Sequence, residues 1–238
     1  MSDHNQFELY FKSFVESFGG TVLREAQDGK TADFLFSRYN VVAELKTLLV
    51  DSTPEMNKKV GQILGKWMTA SSRLPTQTVE DGKFIFEMRS VEPEIAQEWI
   101  NLLRQQVERL VKEANSQIAD TKRRENLPSA RGILLVSNTS NIYHNDPRGF
   151  RLILGNLLCK RTPEGSLRYP DIQGAVFFSA QGVKSLKENM YFWTPLQMKR
   201  SEDDDVSDIV SFQADLRDGW YRFITETTGI EVRQHFTD

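Results

Sequence analysis

The chain has 238 residues, of which 39% are hydrophobic and 26% are charged, and its formal net charge is -3. This length and composition exclude a wholly disordered chain and predict one large globular domain with a substantial buried core. The slightly acidic balance excludes a broad basic face for polyanions, so any contact with nucleic acid must use a local patch.

The predicted elements begin with a helix and three strands. The helix covers residues 4–18, where four phenylalanines recur at spacings of 4, 3 and 4, and Gly19-Gly20 ends it. The strands are predicted at residues 21–26, 32–37 and 41–49, with a turn at 28–30. A further helix follows, and Ser52 or Thr53 is expected to cap its first turn.

The rest of the chain alternates strands and helices, which predicts an α/β fold with a mixed sheet. Pro195 is expected to stop one short strand, and Gly229 is expected to close the last helix. In chain order the elements are a short strand or edge hairpin at 82–90, a long helix at 92–126, a strand at 131–138, a helix at 145–160, strands at 172–180 and 190–196, a helix at about 213–228 and a final strand.

We expect these elements to form a single domain over residues 1–238. Its core is predicted at about 4–70 and 131–180, with a helical insertion at about 91–126 and a C-terminal helix-strand elaboration at about 181–238.

The long helix has two interpretations. Its apolar stripe is expected to pack against the core of the same chain. The alternative is an arm, over residues 92–124, that forms a homodimer or binds a protein partner. The residues of the stripe recur at a spacing close to about 3.5 and are Ile95, Trp99, Leu103, Leu110, Ala114 and Ile118.

Cellular location is predicted from cysteine usage and from the absence of sorting signals. Cys159 is the one cysteine, which excludes a disulfide within the chain, and it is expected to be a small buried side chain. The first residues lack the pattern of a signal peptide, and no window approaches about 18 apolar residues. We therefore expect a cytoplasmic protein without a membrane partner.

Three charged residues lie in an apolar hairpin, "TADFLFSRYNVVAELKTL", at residues 31–48. Alternation along the second strand places Glu44 and Lys46 side by side on one face, and pairing of the two strands brings Asp33 within reach of Glu44. Adjacent buried carboxylates repel each other, and a divalent cation such as Mg²⁺ relieves that cost. The lysine can then hold a water or stabilise charge on a phosphorus centre.

The context of the Glu-x-Lys pair separates it from other acid-x-Lys pairs. Glu44-Lys46 lies inside an apolar strand and has an acid in the strand before it, whereas the others lie in turns or at a charged helix end. A cross-strand salt bridge is the structural alternative. The four pairs are Asp28-Lys30, Glu44-Lys46, Asp81-Lys83 and Asp120-Lys122.

At these residues the sequence resembles the PD-(D/E)xK phosphodiesterase superfamily, the restriction-endonuclease-like nucleases. The pattern is an acid in one strand and Glu-x-Lys in the next, here Asp33, ten residues, and then Glu44, Leu45 and Lys46; Ala32 stands at the usual proline. The resemblance implies a restriction-endonuclease-like mixed sheet flanked by helices, with a long inserted helix. It also implies Mg²⁺-dependent hydrolysis of DNA, with Mn²⁺ able to substitute, in restriction, phage defence or repair.

The resemblance extends upstream. Residues 7–25, "FELYFKSFVESFGGTVLRE", are similar to the first helix and strand of archaeal Holliday-junction resolvases, which carry a glutamate early in the helix. Glu8 matches that glutamate, and Glu16 is the competitor. On a helical wheel Glu8 falls at the edge of the phenylalanine stripe and Glu16 falls opposite it, which favours Glu8. The structural alternative for Glu8 is a solvated helix charge.

The helix after the Glu-x-Lys strand completes the implied site. Lys59, Gln62 and Lys66 share one of its faces, and several branches of the superfamily place a glutamine or a basic residue there, near the metal or the DNA phosphate. The resemblance thus implies two sets of residues. The catalytic set is Asp33, Glu44, Lys46, Glu8 and Gln62, and the metal ligands are Asp33, Glu44, Glu8 and the Leu45 carbonyl.

Two other functions stay open at this point. A non-catalytic nucleic-acid-binding or assembly protein can use the same fold, and an enzyme can act instead on RNA or a nucleotide. Basic residues in two groups are candidate phosphate contacts or solvated surface charges. They are the run "TKRREN" (121–126) with Arg131, and Arg148, Arg151, Lys160, Arg161 and Arg168.

Overall fold

The computed structural model describes residues 3–24, 31–48, 58–59, 61–63, 65–66, 69, 77–80, 83–86, 93–138, 147–179, 193–197 and 204–229. The chain divides into two compact units, Met1–Leu49 with Glu108–Asp238, and Val50–Val107. The domain boundaries expected from the sequence stay a prediction.

The first unit begins with helix α1 (Asp3–Ser17), followed by strands β1 (Thr21–Val22), β2 (Phe34–Phe36) and β3 (Val41–Leu48). The α1 helix ends where Gly19 adopts a left-handed backbone, with φ of 85°, as the glycine pair predicts. A short 3-10 turn, Ser37–Tyr39, joins β2 to β3, and Asn40 turns the chain back with a left-handed φ of 52°. The predicted helix and hairpin are confirmed.

The second unit contains a two-stranded hairpin of β4 (Gln77–Glu80) and β5 (Lys83–Phe86), together with helical residues within 58–69. Helix α2 (Pro93–Arg124) starts in this unit and ends in the first. The remaining elements belong to the first unit. They are β6 (Arg131–Asn138), α3 (Pro147–Leu158), β7 (Gly174–Ser179), β8 (Trp193–Gln197) and α4 (Ser207–Thr228).

The strands of the first unit form one six-stranded mixed sheet in the order β1-β2-β3-β6-β7-β8. Neighbours β1, β2 and β3 are antiparallel, β3, β6 and β7 run parallel, and β8 is antiparallel to β7. The predicted α/β class, with a mixed sheet, flanking helices and a long helix, is therefore confirmed. The parallel strands β3 and β6 form the central pair of the sheet, and most of their residues are buried, as is typical of parallel strands.

An aromatic core covers one face of this sheet. Phe7, Phe11 and Phe14 of α1 are buried, and the Phe14 ring centroid lies 5.1 Å from that of Trp220 on α4. The side chains from β2 that complete it are Phe34 and Phe36, both buried. The phenylalanine stripe seen in the sequence therefore packs on the sheet, and packing of this amphipathic face supplies most of the stability of such a helix.

Three expectations from the sequence are wrong. Pro195 lies inside β8, opposite Val176, because the last strand of the described sheet tolerates a residue without a backbone N–H. Cys159 is exposed, since it follows the last buried residue of α3, Leu158. The last helix begins at Ser207 rather than near 213, because residues at its start already pack on the core.

Other expectations lie outside the described residues or concern membranes. The final strand predicted after Gly229, the turn at 28–30 and the caps Ser52 and Thr53 all fall outside them. Gly229 itself closes α4 with a left-handed φ of 70°. None of the helices among the described residues is long and apolar enough to cross a membrane.

Candidate functional site

The register of the β2–β3 hairpin brings two acids face to face. Phe34 pairs with Ala43, so the position opposite Glu44 is Asp33, one residue before β2. The Asp33 backbone N–H donates to Glu44 Oε2 at 3.1 Å, and the Leu45 N–H donates to Asp33 Oδ2 at 2.9 Å. The hairpin therefore continues through the side chains of the two acids, which the sequence predicted to be neighbours.

Lys46 completes the charged group on the same face of β3. Alternation points Ala43 and Leu45 toward the aromatic core and Glu44 and Lys46 away from it. Lys46 Nζ lies 2.8 Å from Glu44 Oε1, and the exposed fractions of the two side chains are 17% and 2%. The Lys46 ammonium group is thus partly exposed to solvent, whereas the Glu44 carboxyl group beside it is buried.

Burial dominates the electrostatics of the two acids. Burial raises the pKa of Glu44 to about 8, the negative charge of Asp33 adds to this rise, and Lys46 opposes it. Burial also raises the pKa of Asp33, against the Leu45 amide and the Lys46 and Lys12 charges. One partly exposed ammonium does not replace the hydration that a buried carboxylate loses beside a second acid. Burial and the neighbouring acid therefore favour the protonated form of Glu44, and a further cation would favour its ionised form.

The structure distinguishes the two glutamates of α1. Glu8 is half-buried, and its charge contributes to the raised pKa of Asp33. Glu16 is exposed. The charge of Glu8 thus acts on Asp33, and the choice of Glu8 over Glu16 as a site residue stays a prediction.

The donor set suits a hard divalent cation in part. Two neighbouring carboxylates, one of them buried with a raised pKa, supply oxygen ligands and gain from a positive charge. Among the residues that the structure describes, no three His, Cys, Asp or Glu side chains are already gathered as metal ligands. Asp33 and Glu44, with the Leu45 carbonyl and Glu8, are the residues that would hold such an ion.

Gln62 lies in the second compact unit, whereas the other predicted catalytic residues lie in the first. Its exposed side chain lines a polar groove of about 280 Å³ in that unit, together with Lys59 and Lys66. Lys66 Nζ lies 2.9 Å from Glu98, across the groove. The catalytic role predicted for Gln62 stays a prediction.

Sequence reasoning missed two residues of α2 that contact the site. Lys46 Nζ donates to Gln117 Oε1 at 2.7 Å, and the Ala32 N–H donates to Thr121 Oγ1 at 2.7 Å. These polar residues lie within the buried stripe that contains Ala114 and Ile118. A glutamine and a threonine four residues apart inside an apolar stripe are the signal that was available, because buried polar side chains need partners.

Several basic residues that the sequence offered as phosphate contacts are paired with acids. Arg131 Nη1 lies 3.0 Å from Asp204. Lys160 and Arg168 lie 3.5 and 3.4 Å from Glu108. Burial raises the pKa of Glu108, but these two charges and a hydrogen bond from Tyr169 outweigh it and hold the pKa below its usual range. These pairs weaken the case for a phosphate surface at these three residues.

Comparison of the chain with protein-family models, with curated proteins and with solved structures gave no match. The candidate site is therefore characterised by its geometry and its electrostatics.

Proposed function

We propose that the protein is a metal-dependent nuclease of the PD-(D/E)xK type that hydrolyses DNA phosphodiester bonds. One observation carries the proposal: the buried Glu44 carboxylate lies against Asp33 on one side and 2.8 Å from Lys46 on the other. Burying such a group costs stability, and strongly perturbed carboxylates are concentrated at functional sites.

Each residue has a role that its position supports. Asp33 and Glu44, with the Leu45 carbonyl and Glu8, would bind Mg²⁺ or Mn²⁺. The ion, when bound, supplies positive charge for the developing negative charge at phosphorus. Lys46 is partly exposed and carries donors that can hold the attacking water or a phosphate oxygen. The hairpin register keeps the acids and the lysine on adjacent positions of rigid strands, which suits a site that needs fixed geometry.

The finer fold is part of the same proposal. A restriction-endonuclease-like sheet requires the acid and the Glu-x-Lys motif in neighbouring strands. The proposed fold is supported by the order of the elements. Helix α1 is followed by the antiparallel strands β1, β2 and β3, and β6 then runs parallel to β3. Fold alone does not determine function, so the test has to address the site.

The test is cleavage of a panel of labelled DNA and RNA structures with Mg²⁺ or Mn²⁺. Wild type is compared with Lys46→Ala and Asp33→Ala, and with Lys112→Ala and Glu16→Ala as controls at exposed positions. We expect the two site variants to lose about 10²–10⁴-fold in rate and the controls to keep the wild-type rate. Site variants that cleave as fast as wild type would show that the site is wrong.

A non-catalytic nucleic-acid-binding or assembly protein is the second candidate. It is favoured by the backbone contacts of the acids, since both carboxylates accept an N–H from the hairpin and thereby join its strands. Titration calorimetry distinguishes the two functions. A nuclease should bind Mn²⁺ or Mg²⁺, and Glu44→Ala should abolish that binding. A non-catalytic protein, in which the two acids only join the strands of the hairpin, should bind neither ion.

A further inference from the structure

We infer that Gln117 of α2 is the positioning residue for Lys46, and that Thr121, one turn later, holds the chain that leads into Asp33. The inference rests on the proposed nuclease function and adds residues from a third element to its site. All of the contacts lie within the first compact unit.

The first step concerns the Lys46 ammonium group, which has three N–H donors. One donor is directed to Glu44 Oε1 at 2.8 Å, and a second to Gln117 Oε1 at 2.7 Å. Two acceptors at fixed places set the direction of a tetrahedral ammonium, and so the direction of its third donor. Gln117 therefore decides where Lys46 presents that donor to a water or a phosphate oxygen.

The second step concerns the orientation of the Gln117 amide. Its Nε2 donates to the Thr31 carbonyl at 3.2 Å, which turns its oxygen toward Lys46. The opposite orientation would place two donor groups against each other at Lys46 and two acceptors against each other at Thr31. The backbone of Thr31 thus serves as the reference that keeps the amide oxygen in place.

The third step concerns the backbone just before Asp33. Thr121 is fully buried, and its Oγ1 accepts the Ala32 N–H at 2.7 Å. Arg124, on the same side of α2, donates from Nη1 to Thr31 Oγ1 at 2.9 Å. The row of side chains at Gln117, Thr121 and Arg124 thereby attaches residues 31 and 32 to the helix. The same row links the strand of the acid to the strand of the lysine.

The test must distinguish the hydrogen bond that Gln117 accepts from Lys46 from the space that the Gln117 side chain fills. Gln117→Met keeps the length of the side chain and removes the acceptor. Gln117→Glu keeps an acceptor for Lys46 but loses the donor to the Thr31 carbonyl, so its rescue should be partial. Gln105→Met makes the same change at an exposed position of α2 and is the matched control. Circular dichroism and the melting temperature show which variants are folded.

The first readout is steady-state cleavage. We expect Gln117→Met to lower kcat about 10–100-fold, the usual effect of losing a group that orients a catalytic residue, with KM nearly unchanged. Gln117→Glu should retain more of kcat than Gln117→Met, and Gln105→Met should match wild type. An active enzyme whose kcat is unaffected by Gln117→Met would overturn the inference.

The second readout does not depend on activity. Acylation of lysines by an N-hydroxysuccinimide ester, followed by mass spectrometry, gives the labelling rate of Lys46 relative to exposed Lys112. Loss of the Gln117 acceptor should raise the relative rate several-fold, and Gln117→Glu should not. An unchanged relative rate in a folded Gln117→Met variant overturns the inference. If wild type cuts no substrate, the nuclease proposal fails, and the labelling rate still decides whether Gln117 holds Lys46.

Discussion

The two sides of strand β3 contribute to the protein in opposite ways. Toward α1 and α4, Val41 and Ala43 pack into the aromatic core, where burial of apolar surface stabilises the fold. On the other side, Glu44 is equally buried, but its desolvation costs stability and raises its pKa to about 8. Alternate residues of one strand therefore serve stability and chemistry separately.

The packing on one side of β3 can offset the loss of stability that buried charged groups cause on the other side. The aromatic core contains buried rings from three elements: the ring centroid of Phe11 on α1 lies 5.6 Å from that of Phe34 on β2 and 5.3 Å from that of Trp220 on α4. Such packing does not depend on pH and keeps the hairpin in register. The hairpin can then hold Asp33, Glu44 and Lys46 together on its other side, although two neighbouring acids repel each other. We expect the two sides to respond differently to mutation, to pH and to cations.

The largest effect is expected on the core side. Phe14→Ala should lower the free energy of unfolding by about 3–5 kcal/mol, because it leaves a cavity among the rings of α1 and α4. The loss should be the same at pH 5 and pH 8.5, as measured by denaturant unfolding. Ser13→Ala, at the exposed neighbouring position, should change stability by less than about 0.5 kcal/mol. A pH-dependent loss at Phe14 would contradict the separation of the two sides.

The second effect belongs to the charged side and changes with pH. The pKa of Glu44 is raised from 4.5 to about 8 in the folded protein, so the folded state holds its proton over a range where the unfolded state loses it. The stability contributed by the proton on Glu44 is therefore fully present below about pH 4.5 and is lost as the pH rises through 8. Glu44→Gln mimics the neutral acid and should escape this loss.

The measurement is the free energy of unfolding of wild type and Glu44→Gln from pH 5 to pH 9. Relative to the variant, wild type should lose on the order of 3 kcal/mol over this range. Glu16→Gln, the same change at an exposed site, should follow wild type at every pH. Parallel curves for wild type and Glu44→Gln would show that Glu44 is ionised at little cost.

The third effect comes from cations. Mn²⁺ should stabilise wild type at pH 8 by about 2.7 kcal/mol when its concentration is 100 times the dissociation constant. The stabilisation should be smaller at pH 6, because the ion must displace the proton from Glu44. Melting temperatures with and without Mn²⁺ measure it. Asp33→Ala should abolish the shift and Glu16→Ala should keep it; an equal shift in both variants would place the ion elsewhere.

The smallest effect is expected at the rim of the aromatic core. The Tyr39 hydroxyl donates to Asp215 Oδ2 at 2.9 Å, and the Tyr39 ring stacks on Phe18. Tyr39→Phe keeps the ring and should cost about 0.5–1.5 kcal/mol at pH 7, measured by denaturant unfolding. Asp215→Asn leaves an acceptor for the hydroxyl and should cost less. A larger loss from Asp215→Asn would mean that the carboxylate stabilises the fold through another contact.

Much of the fold and part of the site could be predicted from the sequence, because both follow from local periodicity. The phenylalanine stripe predicts α1 and its buried face, and alternation in β3 predicts that Glu44 and Lys46 share a face. The turn around Asn40 sets the register that brings Asp33 opposite Glu44. Each of these relations joins residues close together in the chain, where backbone geometry limits the possible arrangements.

Relations between distant residues were decided by tertiary structure alone. Gln117 meets Lys46 across 71 residues of sequence, and Thr121 meets Ala32 across 89. A helical period shows which face of α2 is buried, but not which strand that face covers. Edge placement likewise decided that Pro195 is tolerated within β8. The sequence could thus predict the charged residues of the hairpin, and only packing of the helix on the sheet revealed what holds them.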